Sequence, residues 1–351
     1  SEMGSTILAD AALREARASG AEIYFAIFRR NAASLSLLGT VPSANVFMLR
    51  EHNFGVFLWD TLRFLIWTRR HKIDTVVDLE LFSRFTSLLT AFSGAARRVG
   101  FHAFHNEGLY RGNVLNIRVA YNPHIHIAKN FMALVKSAFA SQKDLPFYKG
   151  KIDNSAIAAG KATISREAVL RVRAALKQHG APAGAALVLL NCAGGEFLMQ
   201  RRWPPEYYAR LTQMILAKKK KAFVLLTGSP AERPELDLIR AAVGDERCLN
   251  FAGAVAFADL PALYSLSRML VTNDSGPAHF ASTTDIRTFA FFGPETPALY
   301  GSLGNFTPIY AHYACSPCVT AFNHRKTPCR DNQCLKVIGP AEVYERIARY
   351  I

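Results

Sequence analysis

One strand-to-helix junction constrains the fold more than any other feature of this chain. Residues 267–272 form an apolar run with strand character. Asn273-Asp274-Ser275-Gly276-Pro277 breaks it, and Ala278-His279-Phe280-Ala281-Ser282 restarts as a small-residue helix. A strand that turns through Ser-Gly into a helix leaves backbone N–H groups and the positive end of a helix dipole at the turn, which suits a diphosphate. Gly276 admits close backbone approach, and Pro277 fits the first helical position, where no N–H is needed. The pattern then repeats: residues 288–292 are apolar and Gly293-Pro294-Glu295-Thr296-Pro297 follows. Two glycine-broken strand ends in succession imply a ligand site at the carboxyl edge of a parallel sheet. The competing reading of the same residues is two ordinary strand–helix turns.

The rest of the chain alternates in the same way. Helical apolar spacing at 5–16, 33–38, 57–71, 82–92 and 124–138 is interleaved with strand runs at 22–28, 46–49, 75–79 and 97–101, and residues 102–123 read as irregular. Residues 139–165 contain Gln142-Lys143-Asp144-Leu145-Pro146 and a small-residue stretch at 154–162, and read as a connection. Alternation then resumes with a helix at 166–179, strands at 186–191 and 222–227, and helices at 205–218, 232–243 and 259–267. This order predicts an α/β protein built from two Rossmann-like domains with parallel sheets facing a central cleft. The expected domains are 1–150 and 166–338, with a closing helix in 339–351 as a candidate to pack back on the first. The first helix lacks the strand that normally precedes it in a βαβ unit, so a short strand is expected upstream.

Composition narrows the partners. A length of 351 residues suits about two domains. No apolar run reaches the roughly 18–20 residues of a membrane span, and no signal-peptide pattern is present. The net charge of +15 and pI near 9.7 favour anionic partners: nucleotide phosphates, a phosphorylated glycolipid, an anionic membrane face or nucleic acid. The basic residues are dispersed, apart from the run Lys218-Lys219-Lys220-Lys221 between a helix and a strand. No zinc finger, aromatic RNA-binding signature or basic zipper appears, so nucleic acid is not an expected partner. The aromatic-rich segment 54–72 ends in basic residues and suits either an interfacial helix on an anionic bilayer or an ordinary helix between two strands. Four cysteines cluster late, at Cys315, Cys318, Cys329 and Cys334. Their first pair has zinc-ligand spacing, but the remaining intervals are irregular, and packed thiols are expected rather than metal ligands. Cys192 and Cys248 lie in apolar contexts and read as small buried hydrophobes.

Two further strand ends carry chemistry. Asn191-Cys192-Ala193-Gly194-Gly195-Glu196 follows a strand, and Arg201-Arg202-Trp203-Pro204-Pro205 follows soon after. Small residues there admit a ligand, and Arg201 and Arg202 can hold phosphate by forked, charge-assisted hydrogen bonds. A solvated basic loop is the plainer reading. Thr227-Gly228-Ser229-Pro230-Ala231-Glu232 is a third strand-to-helix turn. Glu232 either complements the helix dipole or binds ribose hydroxyls. Asp274 can cap its helix, and His279 taken singly reads as structural.

The ordered set Arg201-x-Trp203-Pro204, Gly228-x-x-x-Glu232, Asn273-Asp274-Ser275-Gly276-Pro277-Ala278-His279 and Phe292-Gly293-Pro294-x-Thr296-Pro297 closely resembles glycosyltransferase family 9, the lipopolysaccharide heptosyltransferases and their relatives. The cysteine cluster looks like that family's too. The resemblance implies a GT-B fold and an inverting transfer of a sugar from a nucleotide-diphosphate donor, typically ADP-heptose, to a lipopolysaccharide core acceptor, with no metal required. It implies work at the cytoplasmic face of a Gram-negative inner membrane. By position it places Arg201 on the donor phosphate, with Arg202 beside it, and Glu232 with Gly228 at the ribose. Ser275, Gly276, Pro277 and His279 then form the diphosphate loop, shaped by Asp274. In the first domain, Glu2-Met3-Gly4-Ser5-Thr6 resembles the family's first glycine loop, where the heptosyltransferases carry an Asp that deprotonates the acceptor. Ser5 stands there instead, so Glu2 and Asp10 are the candidate bases, and a non-catalytic nucleotide-sugar or glycan-binding protein is the alternative. Arg84, Arg98 and Arg111 are the candidates for an anionic acceptor.

Overall fold

The computed structural model describes residues 3–81, 83–104, 110–141, 148–193, 199–323 and 325–351. They divide into two units, Ser1–Ala159 with Val319–Thr327, and Gly160–Cys318 with Pro328–Ile351.

The first unit runs α1 (Met3–Ala18), β1 (Phe25–Phe28), α2 (Ala33–Ser36), β2 (Val46–Leu49), α3 (Phe54–Arg70), β3 (Thr75–Asp78), α4 (Arg84–Phe92), β4 (Arg97–His102), β5 (Ile117–Ala120) and α5 (Ile127–Phe139). All strand pairings are parallel: β1 with β2, and β3–β4–β5 as a separate sheet. Asn53 starts α3 by accepting from the Gly55 N–H at 2.8 Å, and Ser83 starts α4 by accepting from the Thr86 N–H at 3.1 Å. Helix α1 packs against α5 and buries Ile7, Leu8, Ala9, Ala11 and Ala12, which explains why it is apolar on nearly every side. Strand β5 lies in the stretch read as irregular. It has only four residues, and Arg118 interrupts its apolar character.

Asp60 ties α3 to the end of β2. Its buried carboxylate accepts from the Arg50 backbone N–H at 3.0 Å and from the Arg50 guanidinium at 2.8 and 2.7 Å, with Arg63 at 3.5 Å. The Arg50 guanidinium holds the Asp60 carboxyl down at about 2. An unfolded Asp titrates near 3.9, so this pairing stabilises the fold fully above about pH 4 and is lost as the pH falls through about 2. Asp60→Asn is therefore expected to cost about 2 kcal/mol at pH 7, with the difference from the parent closing between about pH 4 and 2. Urea midpoints at both ends of that range test this; an equal deficit at both would overturn it.

The second unit runs α6 (Arg166–Gln178), β6 (Ala186–Asn191), α7 (Pro205–Lys218), β7 (Ala222–Leu226), α8 (Arg233–Val243), β8 (Cys248–Asn250), α9 (Leu260–Ser265), β9 (Met269–Asn273), α10 (Gly276–Ala281), β10 (Arg287–Phe292), α11 (Pro297–Tyr300), β11 (Phe306–Tyr310), α12 (Gln333–Lys336) and α13 (Pro340–Ile347). Its strands form one parallel sheet in the order β11-β10-β9-β6-β7-β8. The chain winds outward from β6 to β8, returns beside β6 as β9, and winds the other way to β11. The order therefore reverses between β6 and β9. Helices covering both faces explain the unbroken apolar runs of β6, β7, β9 and β10. Two edge strands escaped the sequence reading: β8 has three residues, and β11 carries Pro308, which only an edge strand tolerates.

The closing helix belongs to the core of the second unit: Val343, Tyr344 and Ile347 of α13 are buried with Trp203, Tyr208 and Ile215, and α13 packs on α7. The residues that return to the first unit are Val319–Thr327, where Phe322 meets Tyr121 with ring centroids 6.2 Å apart.

Candidate functional site

In open α/β sheets, ligands bind outside the carboxyl ends of the strands where the strand order reverses. Here that point lies between β6 and β9, and both strands end on asparagine. The Asn273 amide donates to the Cys192 carbonyl at 2.9 Å, and its oxygen accepts from the Trp203 N–H at 2.8 Å and the Tyr208 hydroxyl at 3.1 Å. The Asn191 amide donates to the Thr227 carbonyl at 2.9 Å, and the Tyr208 hydroxyl lies 3.3 Å from the Asn191 carbonyl. Two buried side chains thus lace the ends of β6, β7 and β9 to the start of α7. Burial in this network pushes the Tyr208 hydroxyl pKa far up, so it stays protonated and can keep donating. In the sequence alone Asn273 reads as the first residue of a turn. The available signal was that asparagine ends two apolar strands that feed glycine-containing loops.

The predicted donor residues gather on this edge. Arg201, at the end of a short 3₁₀ turn (Met199–Arg201), pairs with Asp274: Nη2 lies 2.7 Å and Nε 3.1 Å from the same carboxylate oxygen. Asp274 is buried at the start of the Ser275-Gly276 turn, and its N–H donates to the Phe291 carbonyl at 3.1 Å. The Met199–Arg201 turn is clamped from behind by Asn332, whose amide reaches the Gln200 and Arg202 carbonyls at 3.0 and 2.9 Å. Arg202 turns toward α8 and pairs with Glu235 at 3.2 Å, so it serves a packing contact as well as adding charge. Gly276 is required by shape, because a Cβ there would lie 2.9 Å from the Phe280 ring. Pro277 occupies the first turn of α10, and His279 is buried one turn in. Gly194, Gly195 and Glu196 lie outside the described residues.

At the end of β7, the Glu232 carboxylate accepts from the Ser229 N–H at 2.6 Å and the Ser229 hydroxyl at 2.9 Å, closing a capping box. A Cβ on Gly228 would meet that carboxylate at 2.9 Å, so the glycine makes room for the cap. The helix-start reading of Glu232 is therefore the one its contacts display.

On the first unit, Ser5 sits in the opening turn of α1, and Glu2 lies outside the described residues. The Asp10 carboxylate is buried and accepts from Arg14 Nε at 2.8 Å and the Thr40 hydroxyl at 2.5 Å. Arg84 is exposed in the first turn of α4. Arg98 spends its guanidinium on the Val114 and Ala95 carbonyls, both at 2.9 Å. Arg111 departs furthest from the acceptor role expected of it. It is buried, with Nη1 2.7 Å from Asp78 and Nη2 3.2 Å from the Phe101 carbonyl. An arginine placed so holds β3, β4 and α4 together and offers no charge to a ligand.

Cys334 packs under the Gly293 turn, and burial together with the nearby Cys318, Cys315 and Cys329 thiols pushes its thiol up to about 11. Among the described residues, no group of three or more His, Cys, Asp or Glu side chains has the geometry to hold a metal ion.

Two α/β units, the second with a doubly wound six-stranded parallel sheet, are the architecture of the GT-B fold. Comparison with known proteins agrees. The family model for glycosyltransferase family 9 (heptosyltransferase) matches residues 69–328, and the chain belongs to that family. It is 32% identical over 126 residues to lipopolysaccharide heptosyltransferase 2 of Salmonella typhimurium, a match covering 35% of this chain and 34% of that relative, so the chain aligns with about a third of the relative's length. Among solved structures it is similar to E. coli ADP-heptose lps heptosyltransferase II, with a TM-score of 0.70 at 18% identity, covering 100% of this chain and 96% of that one. E. coli heptosyltransferase WaaC with ADP gives a TM-score of 0.66 at 15% identity, covering 100% and 98%.

Proposed function

We propose that the chain is an inverting glycosyltransferase that moves a heptose from ADP-heptose to a lipopolysaccharide core acceptor at the cytoplasmic face of a Gram-negative inner membrane. The observation that carries this is the convergence of Arg201, Asp274 and the Ser275-Gly276 turn on the carboxyl edge of the β6/β9 switch point. Family membership and the structural likeness to a heptosyltransferase solved with ADP support it. In this reading Arg201 and the backbone N–H groups of the Ser275-Gly276 turn stabilise the negative charge that grows on the departing diphosphate. Asp274 positions the guanidinium. Glu232 and Gly228 stand at the ribose end, and His279 stays within the loop that cradles the diphosphate. No helix among the described residues is long and apolar enough to cross a membrane.

The first test is a thermal-shift panel with ADP, UDP, GDP, CDP and dTDP. A ligand near 100 times its Kd adds about 2.7 kcal/mol of stability. A shift confined to ADP supports the proposal, a shift confined to another nucleotide replaces the donor, and no shift at all favours a protein that binds no donor. Arg201→Ala is expected to lose about 1.5–3 kcal/mol of ADP affinity, the loss of a charged hydrogen bond. The informative quantity is the ADP-induced shift, because removing the partner of Asp274 also lowers the unliganded Tm. Unchanged ADP binding would remove Arg201 from the site. Asp10 already serves Arg14 and Thr40, so Glu2→Gln is the informative variant for the acceptor-side base, read as kcat with ADP-heptose.

A further inference from the structure

The first unit carries an apolar surface that its own core does not use. Helix α3 turns Phe57, Phe64, Leu65 and Trp67 toward β2 and α4. Its opposite side presents Phe54, Leu58, Leu62 and Ile66, spaced four apart in one row, with Trp59 beside them. Phe54 is 81% exposed and Trp59 60%. Helix α4 continues this surface. Its start lies beside the start of α3, with the Phe57 and Phe85 rings 4.7 Å apart, and its end beside the end of α3, where the Thr68 hydroxyl donates to the Ser93 carbonyl at 2.8 Å. The two helices therefore run side by side in the same direction. Leu88 and Phe92 of α4 are also exposed, Phe92 at 60%. Contiguous exposed apolar surface of this kind marks an interaction site.

Charge identifies the partner. Arg63 and Arg70 each follow an exposed apolar residue of α3 by one turn, Arg69 and Lys72 close the same end, and Arg84 opens α4. Neither helix carries an exposed carboxylate: Asp60 is the one acid in either, and it is buried against Arg50. A second copy seated on this face would set guanidinium groups against guanidinium groups, which opposes self-association. An anionic bilayer meets both features, since tryptophan and phenylalanine settle at the headgroup boundary while arginine and lysine bind lipid phosphates.

We infer that the exposed face of α3 and α4 is a docking surface for an anionic lipid bilayer, on which the protein lies without crossing it. This deepens the functional proposal, which places the acceptor in a membrane, but it rests on the surface alone.

The test is sedimentation of the full chain with phosphatidylcholine vesicles, with and without phosphatidylglycerol, at low and high salt. Two variants are compared with the parent: Leu58→Ser/Trp59→Ser/Leu62→Ser, and Arg69→Glu/Arg70→Glu. All five positions are exposed, so folding should survive, and far-UV circular dichroism with the ADP-induced thermal shift checks it. The parent should pellet with phosphatidylglycerol vesicles and release at high salt. Each variant should bind at least roughly tenfold more weakly. Absence of binding to anionic vesicles, or equal binding by the variants, overturns the inference. So does a salt-resistant dimer of the parent that the serine variant dissociates, which would assign the face to a second copy. A parent that shows the ADP shift but does not bind anionic vesicles would sink this surface and leave the transferase proposal standing; a parent that binds the vesicles but shows no ADP shift would sink that proposal alone.

Discussion

Arg111→Ala is expected to lower the stability of the first unit by about 3–5 kcal/mol, because it leaves the Asp78 carboxylate buried without its counter-charge. Both side chains are nearly inaccessible, and their 2.7 Å contact joins residues far apart in sequence. Burial pushes the Asp78 carboxyl up, and Arg111 opposes that push. With the guanidinium gone, the folded variant should take up a proton on Asp78 that the unfolded chain, titrating near 3.9, does not hold at pH 5 to 7. A fold that binds more protons than its unfolded state loses stability as the pH rises, so the deficit should be largest at pH 7 and shrink toward pH 5. Trp59 and Trp67 lie in this unit and Trp203 in the other, so urea unfolding followed by fluorescence can be read against far-UV circular dichroism. Arg111→Met combined with Asp78→Asn removes both charges and should recover most of the loss. A deficit below about 1 kcal/mol would mean that the pair is not buried as a pair, and Arg111 would return as a candidate for binding the acceptor.

The contrast between Arg111 and Arg201 shows which parts of the site were legible in the sequence. Parallel α/β architecture was readable because the strands of the second unit are unbroken apolar runs ending in glycine-containing turns, and such runs survive only in a sheet covered on both faces. The Ser275-Gly276-Pro277 junction was readable for the same local reason. The helix-start reading of Glu232 was legible, since a capping box is written within four residues. What could not be read was long-range pairing. Whether an arginine faces a ligand or a buried carboxylate depends on which acid the topology brings beside it. For Arg111 that acid stands at the end of β3, and for Arg201 it stands in the very loop assigned to the diphosphate. Asn273 escaped for a related reason. A turn asparagine and an asparagine that bonds three separate segments look alike until β6, β9 and α7 are in place. The edge strands β8 and β11 were missed because three residues, or a run broken by proline, carry too little pattern.

Trp203→Ala should bring the largest loss in the second unit, about 3–5 kcal/mol. The indole is fully buried, stacks on Phe291 at 4.3 Å with an interplanar angle of 16°, meets the edge of Tyr208 at 4.8 Å, and donates through Nε1 to the Ile338 carbonyl at 2.8 Å. That last bond fastens the segment before α13 to the start of α7, so truncation opens a cavity and leaves a buried carbonyl without its donor. The backbone N–H of the same residue bonds Asn273, which puts Trp203 one step from the Asp274 turn. Trp203→Phe separates the two contributions. It keeps most of the stack on Phe291 and loses the hydrogen bond, so it should cost about 1–3 kcal/mol, the expense of one unsatisfied buried group. If the proposed donor site is right, the Trp-Pro motif acts on it by holding Asn273 and Arg201 in register. On that account Trp203→Phe should weaken ADP binding less than Arg201→Ala does, while destabilising the unliganded protein. If Trp203→Phe instead abolished ADP binding at unchanged urea stability, the indole would belong to the ligand's surroundings and the structural assignment of Trp203 would fail.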